Sequence, residues 1–463
     1  MNPKKFPSVS AAILFAAVSP LIAQEGASSS GEAVEGGSSS SSLLVPSLAT
    51  EGGVTGSTTD TPFAGNVTEE SSDVGLSSFF FPGGYGYLPE TVSGRALSIG
   101  RSPVIFSLSV TQGYDDNIYS SSGREGFVPK VGSWTTQVAG AADVLFARGR
   151  TYLAAQLSAG GIYYWDKHTD SVSPVGNLNL AFSHNFSPRL HFVARLNGGY
   201  YNQPDFSLPN APARPNSGDY FNLNSLFDLS YQWTPLFATN TTLGVNTQIF
   251  KEKESQNGNY IELLVGESFR YKFAPRLTGV LDLRFGKIWY DDARLDSTTE
   301  WVLVGADAQI NPRLNGTLRV GAAFRQFEQE GASDSTSPYA EAVLGYRYAK
   351  GSLLQWSNRY GFEESGFYDN RYKTYRTSLL VNHAVTARIN FLLGVSYAYQ
   401  DIKTLSTGAT SDQHLIAVNA GLQYVVNRHF AVSFNYNRNE VVADWQGGSY
   451  DRNRYSLTMN YQF

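Results

Sequence analysis

The sequence predicts an all-β fold, a transmembrane antiparallel up-and-down β-barrel of about 18 strands (16–18), and three observations carry that reading. From residue 103 to the end, runs of roughly ten to fifteen residues alternate apolar and polar side chains, the period-two pattern of strands with two unlike faces. Tight breaks and long polar loops separate those runs in turn. No stretch offers the ~18 consecutive apolar residues of a membrane helix, although the chain opens like an exported protein.

The opening MNPKKFPSVSAAILFAAVSPLIAQEG sets Lys4 and Lys5 before an apolar run from Ala11 to Val18 and small or apolar residues through Ala23. That is a secretory signal pattern, so residues 1–23 are expected to be a signal peptide. Residues 24–78 are dominated by Ser, Gly and Thr and carry Glu25, Glu32, Glu35, Glu51, Glu69, Glu70 and Asp73 without any Lys or Arg. Such a segment cannot bury enough apolar surface to offset its ordering entropy, and is expected to be a disordered low-complexity periplasmic segment. FFFPGGYGYLPE (79–90) opens an irregular aromatic and Gly-rich segment, 79–102, suited to act as a plug or docking segment. The barrel is expected over 103–463.

Composition narrows the function. The 463 residues include 28 Tyr, 28 Phe and 44 Gly but no Cys, which excludes disulfides and thiolate metal sites. A net charge of -5 with basic residues spread along the chain lacks the clustered footprint of nucleic-acid binding.

Taken in order, the predicted strands run near 104–114, 133–146, 151–165, 176–187, 189–202, 220–233, 236–250, 259–273 and 276–290. They continue near 299–311, 313–327, 338–349, 352–363, 372–386, 388–400, 412–426, 429–440 and 450–463. Each covers the ~9–11 residues that a tilted strand needs to cross a bilayer. In RLHFVARLNGGYY, Leu190, Phe192, Ala194, Leu196 and Tyr200 oppose His191, Arg195 and Asn197; in RLTGVLDLRF, Leu277, Leu281, Leu283 and Phe285 oppose Thr278, Asp282 and Arg284. The tripeptide Pro-Arg-Leu recurs at 188, 275 and 312, each time between two runs, where proline fixes φ and removes a ladder donor. Related short breaks fall at 147–150, 234–235, 349–351, 386–388 and 427–429, and long loops such as 207–220 and 329–337 lie between them. An even strand count puts both termini on one side, the periplasm of a bacterial cell whose outer membrane holds the barrel. Closure follows because an open edge in lipid leaves unpaired amides.

Aromatic residues recur where strands reach long loops. Tyr114, Tyr164, Trp165, Tyr290 and Tyr368 are expected to form an interfacial girdle. The polar faces point Arg195, Arg270, Arg284, Arg319, Arg325, Arg347, Arg359, Arg376, Asp228, Asp282, Asp307 and Glu341 into the lumen, along with Asp143 and Glu262. Arg319, Arg325, Arg347, Arg359 and Arg376 lie on consecutive strands and suggest a basic arc that favours anions; the alternative is a wall ladder of paired or hydrated side chains. A register slip of one residue turns the whole set toward lipid.

Catalysis finds little support. His414 follows Asp412 and His168 neighbours Asp166 and Asp170, but sequence places no nucleophile beside either. Asp115, Asp116 and Asn117, and Asp291 with Asp292, lack the loop spacing of a calcium motif. No enzyme activity, cofactor or metal is expected.

In RYSLTMNYQF, Tyr455, Leu457, Met459, Tyr461 and Phe463 share one face, and this ending resembles the C-terminal signal by which bacterial outer-membrane proteins are recognised for assembly. SLSVTQGYDDNIYS (107–120), an opening strand followed by Tyr114, Asp115, Asp116 and Asn117, resembles the first strand of the β-barrel porin family found with bacterial exopolysaccharide and exosortase loci. The resemblance covers 103–463 and implies an outer-membrane barrel linked to polysaccharide export or general permeation. The Ser/Gly segment departs from it, showing no sign of the helical repeat domain that some export porins carry. Three functions are weighed: a porin-like channel for passive passage of small hydrophilic solutes, which barrel size and polar inner faces favour; an accessory barrel of exopolysaccharide secretion; and a structural or surface-display barrel with a closed lumen. Expected partners are outer-membrane lipid and lipopolysaccharide, the barrel-assembly machinery and polysaccharide-export components, with no nucleic acid.

Overall fold

The computed structural model describes residues 104–463 apart from 125–128, 149, 168–170, 202–218, 252–258, 292–295, 329–333, 364–369, 405–406 and 446–447. The expectations for 1–23, 24–78 and 79–102 lie outside the described residues. Eighteen strands form one sheet: β1 Val104–Asp115, β2 Ser133–Arg148, β3 Thr151–Tyr164, β4 Val172–Asn185, β5 Leu190–Tyr201, β6 Tyr220–Gln232, β7 Phe237–Phe250, β8 Tyr260–Ala274 and β9 Leu277–Tyr290. The second half comprises β10 Ser297–Asn311, β11 Leu314–Phe327, β12 Ser335–Ala349, β13 Ser352–Glu363, β14 Asn370–Ala384, β15 Ile389–Thr404, β16 Thr410–Val425, β17 Phe430–Ala443 and β18 Tyr450–Gln462.

Every strand pairs antiparallel with its sequence neighbour, and β1 pairs with β18 from Ser107↔Gln462 to Asp115↔Arg454, so the sheet closes on itself. Closure satisfies the backbone amides that an open edge would leave bare. Among the described residues no helix is long and apolar enough to cross a membrane. The strands do that work, as the all-β barrel read from the sequence requires.

Alternation assigns the faces. Phe106, Leu108 and Val110 of β1, Leu281, Leu283 and Phe285 of β9, and Leu457, Met459 and Tyr461 of β18 are exposed on the outside. Their register partners' inward neighbours are polar: Ser107, Ser109, Asp282, Arg284, Thr458 and Asn460 are buried in the interior. A closed barrel with the large apolar side chains outside is an inverted soluble protein, and its outer belt demands a non-aqueous surrounding.

The short turns share a local device. Ser187 Oγ accepts from the amides of Arg189 (3.1 Å) and Leu190 (3.0 Å), and Thr234, Asn311, Thr386 and Asn427 cap their own turns likewise. The recurring Pro-Arg step is therefore only half of the phrase at 187–189 and 311–313. The Ser or Asn before it supplies the acceptor that closes the turn. All these short turns, together with Val104 and Phe463, lie at one end of the barrel, and Phe463 N donates to Phe106 O at 2.9 Å. Strand bounds follow the predicted runs, with extensions of three or four residues at the long-loop ends of β4 (from Val172), β12 (from Ser335), β15 (to Thr404) and β17 (to Ala443); in β4 and β12 Pro174 and Pro338 are accommodated within the strand.

Candidate functional site: the barrel interior

Register settles which predicted charges share the interior. Arg195, Arg270, Arg284, Arg319, Arg325, Arg359, Arg376, Asp228, Asp282, Asp307 and Glu341 all fall on the inward set, as do Asp143 and Glu262. Arg347 keeps the inward parity through its pairing with β11, where its amide donates to Arg313 O, and lies at the short-turn end of the inner face near Thr317, Val343 and Gln355, with its side chain more exposed than the others.

The wall from β8 to β14 carries a buried ion-pair network. Arg284 on β9 donates to Asp282 (Nε 3.0 Å) and to Glu341 (3.1 Å) on β12, reaching across β10 and β11. Arg319 on β11 lies 2.7 Å from Asp307 and 3.9 Å from Asp282. Arg270 pairs with Asp307, Arg359 pairs with Glu363, and Arg376 reaches Glu363 at 3.1 Å. Gly305 faces inward beside Arg319, and a Cβ there would overlap the Leu318 carbonyl oxygen before it met Arg319 Cδ, so the close approach of the β11 backbone requires glycine. Tyr339 donates its hydroxyl to Glu341 at 2.6 Å, and Gln400 Nε2 donates to Glu363 at 3.3 Å.

The predicted basic arc is thereby corrected. Of its members, Arg319, Arg359 and Arg376 are interleaved with Asp282, Asp307 and Glu363, Arg325 donates to Thr299 Oγ1 at 2.9 Å with its guanidinium 4.8 Å from the Phe362 ring centroid, and Arg347 lies at the short-turn end of the same face. Consecutive strands do bring the arginines to one wall. Acids on the same wall neutralise them, because desolvated guanidinium groups persist only when paired and hydrogen-bonded.

Beside the network sits an apolar cluster that the sequence reading missed. Leu226 of β6, Leu264 of β8, Trp301 and Leu303 of β10, Ala323 of β11, Tyr339 of β12 and Phe362 of β13 pack together, Leu226 and Leu303 with no exposed surface. The signal was the unbroken apolar run Trp301-Val302-Leu303-Val304, which marks a strand buried on one face and lipid-like on the other. Phe362 joins by a local departure from the sheet. β12–β13 pairing stops at Ala340↔Tyr360, whereas β13–β14 pairing continues to Glu363↔Tyr372.

The rest of the wall is amide and hydroxyl. Gln413 donates to Gln400, Asn179 to Gln156 and Gln156 to Asp143, while Thr111 and Thr458 meet at 2.8 Å across the closure. On β6 and β7, Asp228 accepts from Thr242 at 2.6 Å, and Asn246 donates to Glu262 at 2.9 Å. These groups can exchange hydrogen bonds with water or polar solutes.

At the long-loop rim the girdle divides. Tyr114 and Trp165 face outward, the former 5.3 Å from the Trp134 ring centroid. Tyr164 and Tyr290 are corrected: both are buried and inward, paired in register with Thr135 and Tyr260, and their outward neighbours are Tyr163, Trp165 and Trp289. A period of two puts adjacent residues on opposite faces, and the aromatic pair at each strand end contains one of each. Tyr368 lies outside the described residues.

The Tyr114-Asp115-Asp116-Asn117 stretch fastens the closure. Arg452 Nε donates to both Asp115 oxygens at 3.0 Å, Asp116 accepts from Asn453 N and Nδ2 at 2.7 Å each, and the fully buried Asn117 donates to Ser121 O and Asp451 O at 2.8 Å. Its acids hold β18 to β1. Tyr455, Leu457, Met459, Tyr461 and Phe463 alternate on the exposed outer face of the same seam.

His414 sits outside, Nε2 3.7 Å from Asp412 and Nδ1 2.8 Å from the Tyr397 hydroxyl, and His168 lies outside the described residues. Among the described residues no cluster of three or more His, Asp or Glu is arranged to hold a metal.

Residues 289–463 match the model of the family described as "Putative beta-barrel porin 2". The match spans the strands from the end of β9 to β18 and agrees with the porin resemblance of the opening strand; the description names no export system. Similar solved structures include Acinetobacter baumannii OccAB4 (12% identity, TM-score 0.41, covering 78% of this chain and 99% of that one). A BenF-like porin from Pseudomonas fluorescens Pf-5 has 11% identity and a TM-score of 0.43 over 78% of this chain and 99% of its own. Pseudomonas aeruginosa OpdK, solved with vanillate, has 8% identity and a TM-score of 0.43 over the same shares. No curated protein matches the chain.

Proposed function

We propose that the chain is a channel-forming barrel of a bacterial outer membrane, passing small hydrophilic solutes through a lumen narrowed on its β6–β13 wall. One observation carries the reading: inward faces rich in Ser, Thr, Asn, Gln and paired charges run around the closed wall, while the large apolar side chains face out. A wall of that kind hydrates a path, and lipid covers the outside. Short turns and both barrel ends at one end, with longer loops at the other, support a periplasmic side for the termini. Phospholipid and lipopolysaccharide are then the molecules against the belt, and the outward aromatics from Tyr455 to Phe463 are the face offered to assembly machinery.

The buried cluster around Trp301 and Leu303 favours a second reading, a structural barrel with a closed lumen. Solute efflux separates the two. Proteoliposomes loaded with a small sugar and a small zwitterion should release both in the presence of the folded protein; retention of both, with folding verified, refutes the channel and leaves the closed barrel.

A further inference from the structure

The short-turn end of the barrel is basic. The short turns and the ends of the strands flanking them expose Arg150, Arg189, Arg276, Arg313, Arg347, Lys350, Arg388 and Arg428, and the turn segments 148–151, 186–189, 233–236, 274–276, 311–313, 349–351, 385–388 and 426–429 contain no Asp or Glu. The long-loop rim mixes both signs, with Asp116, Asp166, Asp291, Glu328, Asp412, Asp444 and Asp451 beside Arg124, Lys130, Lys167, Lys251, Lys373 and Lys403. Phe186, Trp233, Phe273 and Phe463, all exposed, lie at the same end as these basic side chains.

The chain enters β1 at Val104, at this basic end. The residues before it, from Glu51 through Glu69, Glu70 and Asp73, carry acids, and no Lys or Arg occurs until Arg95. We propose that the acidic Glu51–Asp73 segment docks on the basic short-turn rim of its own barrel. Charge complementarity selects the partner, and tethering raises its local concentration to the millimolar range typical of short linkers. The reach suffices: a random-coil chain of about 30 residues, the number between Asp73 and Val104, has a root-mean-square span of ~30 Å. A ring of 18 tilted strands at 4.8 Å spacing has a diameter of roughly 35 Å, so most of the rim is within range. Exposed pairs of this kind are weak singly and screened by salt.

The absence of cysteine permits a clean distance measurement on the full chain. Spin labels at Ser72→Cys and Ala387→Cys, in protein refolded into zwitterionic detergent, should give one narrow distance population at low salt. That population should broaden in ~1 M salt, where the screening length falls to about 3 Å, and equally in the variant Glu69→Gln/Glu70→Gln/Asp73→Asn at low salt. A broad distribution indifferent to salt and to the neutralising variant overturns the proposal. Anionic phospholipid is the rival occupant: if labels narrow in detergent yet broaden in phosphatidylglycerol nanodiscs, and Arg276→Gln/Arg313→Gln/Arg388→Gln loses co-purifying lipid, the rim is a headgroup site and the proposal falls. The readout needs no conductance, so it stands apart from the channel reading.

Discussion

Arg452 on β18 grips Asp115 on β1 through both carboxylate oxygens, each 3.0 Å from Nε, across the one junction that sequence-adjacent hairpins cannot make. Both side chains are almost fully buried. Hairpins form locally, but this pairing must be found across the whole chain, and a buried bidentate pair at its outer end specifies the register in which the barrel shuts.

Asp115→Ala should therefore weaken the barrel by about 3–5 kcal/mol, the cost of stranding a buried guanidinium. Urea unfolding followed by Trp fluorescence reads the loss. Arg452→Met in the same background should recover a good part of it, since removing both charges is less costly than removing one.

The same logic applies inside. Asp282 serves Arg284 and Arg319, so Asp282→Asn should destabilise by ~3–5 kcal/mol and shift ion selectivity toward anions by leaving the wall more positive. Reversal potential across a salt gradient measures the selectivity. A shift toward cations would mean that the network does not face the conducting path.

Register is testable by depth. Leu283 faces out and Asp282, its neighbour, faces in. Leu283→Arg should cost ~2–4 kcal/mol in folding into phospholipid vesicles, the penalty of a cation near the bilayer midplane. Gln137→Arg, at a half-buried inward position of β2 opposite Thr111, should fold with little loss. Equal penalties would contradict the assignment of faces.

Leu303 has no exposed surface and anchors the apolar cluster on the narrow wall. Leu303→Ala should cost ~2–5 kcal/mol and raise solute flux if that wall limits passage. Flux unchanged in a destabilised protein would place the limiting constriction elsewhere.

The strands were legible because lipid outside and water inside impose strict alternation, as at Tyr455 through Phe463, and because turns announce themselves through residues such as Pro188 and Pro312. Boundaries slipped at Pro174 and Pro338, where a missing ladder donor reads as a break but the closed sheet tolerates it. The inward sets at Arg284 and Arg319 were also readable from parity. What parity cannot give is who meets whom: Arg284 on β9 reaches Glu341 on β12, across two intervening strands, only through the register of the closed sheet. Trp301 and Leu303 stayed hidden because an apolar residue on the inner face looks like an outer one in a short run, and Tyr164 and Tyr290 were misplaced because an aromatic at a strand end signals depth but not side.

Single-channel recording of the refolded barrel in a planar bilayer tests the central claim most directly. Steady ohmic steps, enlarged by Leu303→Ala, are the predicted result. A barrel that is demonstrably folded, by its heat-dependent electrophoretic shift, yet gives no steps with or without that substitution would contradict the channel.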